Sequence, residues 1–226
     1  MQLVITGKTK NLYRLGNGNM LLEFKDDLTG KDGVFDPGAN TVGLTMEGAG
    51  EAGLRVTKFF FETFKRRGLP THYVDADLEK KTMEVVAAEP FGDGLECICR
   101  YRAVGSFYRR FGKYIKEGDK LDGLVEITIK DDEAGDPPIT KDIAVMLGIA
   151  TAEEYDTLLK LTKEFSDVIK EILETSDLSL YDLKLEFGKD KDGKIMLIDE
   201  ISGGNMRVYK GDEYVAPLKL PELLLK

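Results

Sequence analysis

Short runs of alternating apolar and polar residues recur along the chain, and this period of two predicts half-buried strands. Gly16-Asn17-Gly18-Asn19 lies between two such runs and favours a tight hairpin turn. Residues 29–53 are rich in glycine and too long for a simple connection, so we expect a functional loop there. The predicted strands are residues 3–5, 12–15, 20–24, 71–74, 83–87, 95–101, 125–129, 180–187 and 194–199.

A second pattern, with apolar residues recurring every three or four positions, predicts helices. Residues 51–67 form one such segment, and residues 152–173 form the longest. Thr151 and Glu154 have the spacing of a capping box at the start of the longest helix. A shorter helix is expected to begin at Thr140.

The order of these elements predicts the fold class. Strands grouped with helices, without a regular βαβ rhythm, indicate an α+β fold with antiparallel sheets, packed helices and two lobes. The run Glu89-Pro90-Phe91-Gly92-Asp93-Gly94 is the best candidate for a hinge. We therefore expect an N-terminal lobe at residues 1–90 and a C-terminal lobe at residues 91–226.

Composition narrows the classes of function. The 32 lysines and arginines against 41 acidic residues give a net charge of 32 − 41 = −9, which disfavours general binding to nucleic acid. Cys97 and Cys99 are expected to be free buried thiols, which suit a reducing compartment. His72 is the single histidine, so no zinc set can form, and we expect a structural role for it. Without a signal segment or a membrane-spanning run, we expect a soluble cytoplasmic protein.

The last two predicted strands carry the strongest chemical signal. If Asp192-Gly193 is a two-residue turn, Glu186 lies directly opposite Asp199. The Cβ atoms of such a pair lie about 4.5–5.5 Å apart, and like charges placed so are destabilising. A positive group is therefore expected between them, and a pair of carboxylates completed by substrate phosphates and waters is a usual magnesium arrangement.

The pair of carboxylates has a second explanation of equal weight, which needs no metal. Lys184 lies on the face that carries Glu186, and it can reach an anion from there. A solvated polar face, with the repulsion relieved by Lys184 or Lys194, explains the pattern as well.

Clusters of basic residues are candidate anion sites in this acidic chain. Gly7-Lys8-Thr9-Lys10 offers backbone N–H groups and two ammonium groups to phosphate, although an ordinary charged turn has the same composition. Arg100 to Gly112 contains four arginines, which suit bidentate binding of phosphate or carboxylate, or else a surface ion-pair patch. Arg207 follows the acidic pair Asp199-Glu200 in a glycine-rich loop.

Together these segments resemble the phosphoribosylaminoimidazole-succinocarboxamide synthase (SAICAR synthetase) family of purine biosynthesis, in order along nearly the whole chain. The string KLEFG followed by IDE is the most specific part, and it contains the carboxylate pair derived above. The matching segments are Gly7-Lys8-Thr9-Lys10, Leu12-Tyr13, Leu21-Leu22-Glu23-Phe24, Asp32-Gly33, Arg100 to Ser106, Arg110-Phe111-Gly112, Asp136-Pro137, Lys184 to Gly188, Asp199-Glu200 and Arg207.

The resemblance implies a two-lobed fold similar to ATP-grasp and kinase-like folds, with ATP between the lobes. It implies a ligase that uses ATP and Mg²⁺ to join the carboxylate of carboxyaminoimidazole ribonucleotide (CAIR) to the amine of L-aspartate, releasing ADP and phosphate. The expected partners are these small molecules and further copies of the chain in a homo-oligomer, and neither nucleic acid nor a membrane.

The resemblance also implies roles for individual residues. ATP would be bound by Lys8, Lys10 and Lys130, with adenine read near Glu89 and Phe91. The metal ligands would be Glu186 and Asp199. The substrate-binding residues would be Arg100, Ser106, Arg207 and Asp32. The catalytic residues would be Lys10, Lys184 and Asp136.

The chain departs from the family pattern after the metal aspartate and also at Thr29-Gly30-Lys31, where a Ser-Ala run is common. The family usually has a Pro-Asp-Ser-Ser-Arg type of run after the metal aspartate, whereas this chain has Gly203-Gly204-Asn205-Met206-Arg207. These departures leave room for a divergent member that ligates another amine or carboxylate. A kinase-like phosphotransferase and a regulatory nucleotide-binding protein are the other hypotheses.

Overall fold

The structure is a computed structural model that describes residues 1–31, 34–35 and 41–225. Within these residues the chain is α+β, with two large antiparallel sheets and helices packed against them. The strands are β1 (Gln2–Thr6), β2 (Lys10–Arg14), β3 (Met20–Phe24), β4 (Asp27–Lys31), β5 (Val34–Phe35), β6 (Val42–Thr45), β7 (Tyr73–Asp77), β8 (Thr82–Val85), β9 (Glu89–Pro90), β10 (Leu95–Arg102), β11 (Lys120–Ile129), β12 (Ser179–Lys189), β13 (Ile195–Ile198), β14 (Met206–Lys210) and β15 (Glu213–Tyr214). The helices are α1 (Ala49–Arg66), α2 (Gly105–Phe111), α3 (Lys141–Met146), α4 (Ala152–Glu174) and α5 (Leu220–Leu224).

The first sheet has the order β1-β2-β3-β8-β7. Helix α1 packs on this sheet with an apolar face that includes the fully buried Phe60, Phe61 and Phe64. The predicted helix at residues 51–67 is thus confirmed, with its start two residues earlier. The expectation of one long loop at residues 29–53 is wrong, because β4 pairs with both β5 and β6 in a small third sheet.

The second sheet is built around β12, which pairs with β10, β14, β13 and β9. Helix α4 covers one face of this sheet, and its predicted capping box between Thr151 and Glu154 is confirmed. Phe165 of α4 packs between Phe64 of α1 and Phe187 of β12, at centroid distances of 4.8 and 5.9 Å. The core is therefore continuous from the first sheet to the second.

The register of the last hairpin differs from the prediction. Glu186 lies opposite Ile198, and the two strands are joined by residues 190–194 instead of a two-residue turn. The Asp190 carboxylate accepts hydrogen bonds from the backbone N–H groups of Asp192 and Lys194, which stabilises the longer turn. Asp199 falls just beyond β13 with a left-handed φ of 63°, so it is not the direct cross-strand neighbour of Glu186.

Backbone hydrogen bonds join the two large sheets near the middle of the molecule. His72 N–H donates to the carbonyl of Leu197 at 3.0 Å, and Leu197 N–H donates to the carbonyl of Pro70 at 2.9 Å. Within the described residues, no helix is both long and apolar enough to cross a membrane.

Candidate active site

A cleft of about 900 Å³ is lined by residues of both large sheets and of the turns between their strands. One part of its wall is apolar, which suits a flat ring system, and the rest carries charged side chains. The apolar part includes Leu12, Met20, Leu22, Val85 and Ile198. The charged part includes Lys8, Lys10, Glu96, Arg100, Lys130, Asp182, Lys184, Glu186, Asp199, Glu200 and Arg207.

Lys10 enters the cleft from the start of β2. Its Nζ lies 3.1 Å from Asp199 Oδ1 and donates to Glu200 Oε1 at 2.5 Å. Burial opposes the positive charge of Lys10, but the two carboxylates outweigh burial, and the pKa of Lys10 is raised. The ammonium group is therefore charged at neutral pH and held at the junction of the two sheets.

Glu186 lies between two lysines on the wet face of β12. Lys184 Nζ donates to Glu186 Oε1 at 3.0 Å, and Lys130 Nζ donates to the same oxygen at 3.1 Å. Burial disfavours the charge of Glu186, yet these lysines lower its pKa to about 2. Lys184 also donates to Glu96 Oε1 at 2.9 Å, and its own pKa is raised because these carboxylates outweigh burial.

A row of arginines and acids crosses the far end of the cleft. The Arg100 side chain is 2% exposed and donates to Glu126, to Asp182 and to Ser106 Oγ. Asp182 also accepts two hydrogen bonds from Arg207, at 2.9 and 3.1 Å. Arg100, Ser106 and Arg207, which the resemblance grouped at one substrate, therefore lie together.

The acid-rich turn at residues 130–137 forms the rim of the cleft. Lys8 reaches across to an ion pair with Asp132. The Asp136 side chain accepts from Asp131 N–H at 3.0 Å, and Asp136 itself has a left-handed φ of 51°. Asp136 lines the cleft, so the structure brings it to the same cavity as Lys184.

The two residues expected near adenine, Glu89 and Phe91, are not among the described residues that line the cleft. Their neighbours Ala88 and Pro90 line it instead. Phe91 is buried, and Lys189 lies over its ring at 4.9 Å. Asp32 falls outside the described residues.

Four acids that pair with the basic residues of the cleft received no site role from the sequence: Glu96, Glu126, Asp182 and Glu200. Asp182 has a signal in the sequence, because it lies on the same face of β12 as Lys184 and Glu186. Glu200 directly follows Asp199. Glu96 and Glu126 have no local signal, because their pairing depends on β10 lying between β11 and β12.

The carboxylates do not form a complete metal cage by themselves. In the part of the chain that the structure describes, no three His, Cys, Asp or Glu side chains converge as a metal site. Glu186 and Asp199 both line the cleft and are each held by lysine. Lys184 and Lys130 contact Glu186, and Lys10 contacts Asp199, so each carboxylate has a lysine beside it.

The fold and the cleft define a two-lobed α+β protein with a charged cleft between its two large sheets. The family model described as SAICAR synthetase matches residues 3–221. A curated phosphoribosylaminoimidazole-succinocarboxamide synthase of Clostridium tetani is 60% identical over 227 residues, covering 100% of both chains. The chain belongs to the SAICAR synthetase family.

Further comparisons agree. The synthase of Finegoldia magna is 34% identical and covers 94% of this chain and 87% of its own length. A solved SAICAR synthetase in complex with ADP superposes with a TM-score of 0.81 at 30% identity, covering 92% of this chain and 84% of that chain. At 60% identity to a curated member, the expectation of a divergent member is not supported.

Proposed function

We propose that this chain joins the carboxylate of CAIR to the amine of L-aspartate, consuming ATP and forming SAICAR, ADP and phosphate. The observation that carries the proposal is the 60% identity, over the full length of both chains, to a curated synthase of this name. The charged cleft between the sheets supports it independently, because three anionic substrates need a site rich in cations.

ATP is proposed to lie with its base against the apolar wall and its phosphates toward Lys8, Lys10 and Lys130. The solved relative with bound ADP supports a nucleotide site in this fold. Ala88 and Pro90 line the cleft beside the expected adenine region, so backbone near residues 88–91 is the proposed contact for the base. We also propose that the boundary between the two lobes lies near residue 90, beside this nucleotide site.

The carboxylates of Glu186 and Asp199 are suitable ligands for a Mg²⁺ ion that accompanies ATP. Magnesium is commonly held by one or two carboxylates together with substrate phosphates and waters, so an incomplete protein cage is expected. Glu186 is ionised at neutral pH because its pKa is lowered to about 2, and it would hold the metal with Asp199. A bound Mg²⁺ would offset the negative charge of the phosphates during transfer.

CAIR is proposed to place its phosphate against Arg100, Ser106 and Arg207. Its carboxylate would then face Lys184 and the phosphates of ATP, with Asp136 positioning a substrate from the rim. A carboxylate is a poor electrophile, and its phosphorylation by ATP would create a leaving group that the amine of aspartate displaces. The side chains of the chain would supply orientation and charge stabilisation, with no covalent nucleophile among them.

The test is ADP release by the purified protein with Mg-ATP and CAIR, with and without L-aspartate and with a panel of other amines. Aspartate-dependent ADP release with formation of SAICAR is expected. Release of ADP without any amine would support the phosphotransferase instead. Turnover only with another amine would reject aspartate as the substrate, and tight nucleotide binding without turnover would support the regulatory hypothesis.

We also propose a cytoplasmic location and a homo-oligomeric state. The location is supported by Cys97 and Cys99, which are both buried free thiols. Sedimentation of the purified protein would test the oligomeric state.

A further inference from the structure

Five charged side chains alternate in sign at the end of the cleft, and four of them line it, while Glu126 pairs with two of these arginines. We define the charge row as Arg110, Glu126, Arg100, Asp182 and Arg207, in spatial order. Each acid contacts both of the arginines beside it. The row has three positive and two negative charges, so it keeps a net charge of +1 while every guanidinium is restrained.

Strand pairing builds the centre of the row. Arg100 of β10 lies directly opposite Asp182 of β12, and Asp182 lies directly opposite Arg207 of β14. A single oxygen, Asp182 Oδ2, accepts from Arg100 Nη1 at 3.0 Å and from Arg207 Nη1 at 2.9 Å. Two like charges are thereby fixed close together by one buried carboxylate, whose side chain is 4% exposed.

Arg100 is restrained on all sides. Its Nε donates to Glu126, its Nη1 to Asp182 and its Nη2 to Ser106. A guanidinium has five N–H groups. Three of those on Arg100 are used by described residues, so two remain for a ligand. The Arg207 guanidinium also lies against Gly105, where a Cβ would be only 2.8 Å from Arg207 Nη1, so this position leaves no room for a side chain.

We propose that Asp182 is a positioning residue that holds the Arg100 and Arg207 guanidinium groups in the geometry that binds the phosphate of the ribonucleotide substrate. The inference rests on the proposed function for the identity of the ribonucleotide. The carboxylate lowers the positive charge of the site, so its contribution to binding comes from placing two repelling cations side by side before the ligand arrives.

Asp182→Asn distinguishes two ways in which Asp182 could affect phosphate binding, through the net charge of the site or through the positions of the two guanidinium groups. If the net charge of the site set the affinity, removing the acid would make phosphate bind more tightly. If placement sets it, the KM for CAIR and the inhibition constant of inorganic phosphate against CAIR rise by about tenfold or more, while the KM for ATP is unchanged. Tighter or unchanged binding of CAIR, or an equal rise in both KM values, would overturn the proposal.

Gly105→Ala tests the same point without changing any charge. The added methyl group displaces the Arg207 guanidinium, and it also meets a left-handed φ of 57°. The KM for CAIR and the phosphate inhibition constant are expected to rise here too. If Asp182→Asn does not fold, an unchanged phosphate affinity in folded Gly105→Ala overturns the proposal on its own.

Asp167→Asn is the matched control, because it removes an ion-paired aspartate of α4 that does not line the cleft. Direct binding of inorganic phosphate, measured by calorimetry, needs no turnover. If the wild-type chain makes no product but loses phosphate affinity on Asp182→Asn, the positioning role stands and the proposed function fails.

Discussion

His72 lies in the cleft wall, 4% exposed, with its ring against Phe61. Its Nε2 is 3.2 Å from the carbonyl oxygen of Asp199, which suits a neutral ring that donates from Nε2. Burial lowers the pKa of His72 to about 4, and the attraction of Asp199 offsets only part of this effect. The residue therefore acts as an uncharged support for the segment that carries Asp199.

This environment makes stability depend on pH in a defined window. The pKa of His72 is about 4 in the folded chain and 6.5 without burial, so the unfolded chain binds the extra proton first as pH falls. The contribution of about 3 kcal/mol is complete above pH 6.5 and is lost as pH falls toward the folded pKa. Urea unfolding at several pH values should show a loss of about 1.2 kcal/mol between pH 6 and pH 5.

His72→Gln separates this effect from other titrations. Glutamine keeps a donor for the Asp199 carbonyl but cannot titrate, so the slope of stability between pH 6.5 and 5 should nearly disappear. Glu186, whose pKa is lowered to about 2, loses its contribution at more acidic pH and does not interfere. An unchanged slope in the variant would assign the effect to another group.

Local sequence identified the cations of the site better than their partners. Lys8 and Lys10 stand out in one short turn of the sequence, but the acids that they contact lie far away in the chain, at Asp132 and Glu200. Such pairs depend on how the two sheets meet, which no local pattern encodes. Arg100, Ser106 and Arg207 were grouped through the resemblance, whereas Asp182 between them follows only from the strand order.

At the scale of elements, the hairpin of β12 and β13 shows why strand position is easier to predict than register. Asp192-Gly193 is a strong turn signal, and both strands were found close to their observed bounds. The Asp190 side chain adds two hydrogen bonds that favour a longer turn and shift the pairing by one residue. Both carboxylates still reach the cleft, because the left-handed backbone at Asp199 redirects the chain after β13.

The turn between β1 and β2 is a second element whose shape sets the site. Gly7 N–H donates to the carbonyl of Lys10 at 2.8 Å, and a Cβ on Gly7 would lie 2.6 Å from that oxygen. Gly7→Ala must therefore open the turn and move Lys10. We expect a several-fold rise in the KM for ATP and a loss of about 1–3 kcal/mol in stability.

Gly16→Ala is the control for this variant, since it changes a glycine of the next turn where a Cβ would meet nothing within 4 Å. Steady-state kinetics and thermal unfolding of both variants provide the comparison. Equal KM values for ATP in the two variants would show that the shape of the Gly7 turn does not position Lys10.

Across the whole molecule, the cleft holds its cations in ion pairs with acids. Lys10 contacts Asp199 and Glu200, while Lys130 and Lys184 contact Glu186. In the proposed ATP site, the phosphates would have to compete with these carboxylates for the lysines. A divalent cation that takes Glu186 and Asp199 would release the lysines to the phosphates, so metal and nucleotide should strengthen each other's binding.

Glu186→Gln tests whether Glu186 restrains the lysines and holds the metal, and the test needs only ATP binding and no turnover. Without the carboxylate, Lys130 and Lys184 are available to phosphate, so ATP in the presence of EDTA should bind about tenfold more tightly than to the wild type. The gain from adding Mg²⁺ should shrink, because one proposed ligand is lost. Calorimetric titration with and without the metal measures both effects, and Glu171→Gln, an exposed partner of Arg67, is the control. If metal-free ATP binds no better and Mg²⁺ gives its full gain, Glu186 neither restrains the lysines nor holds the metal.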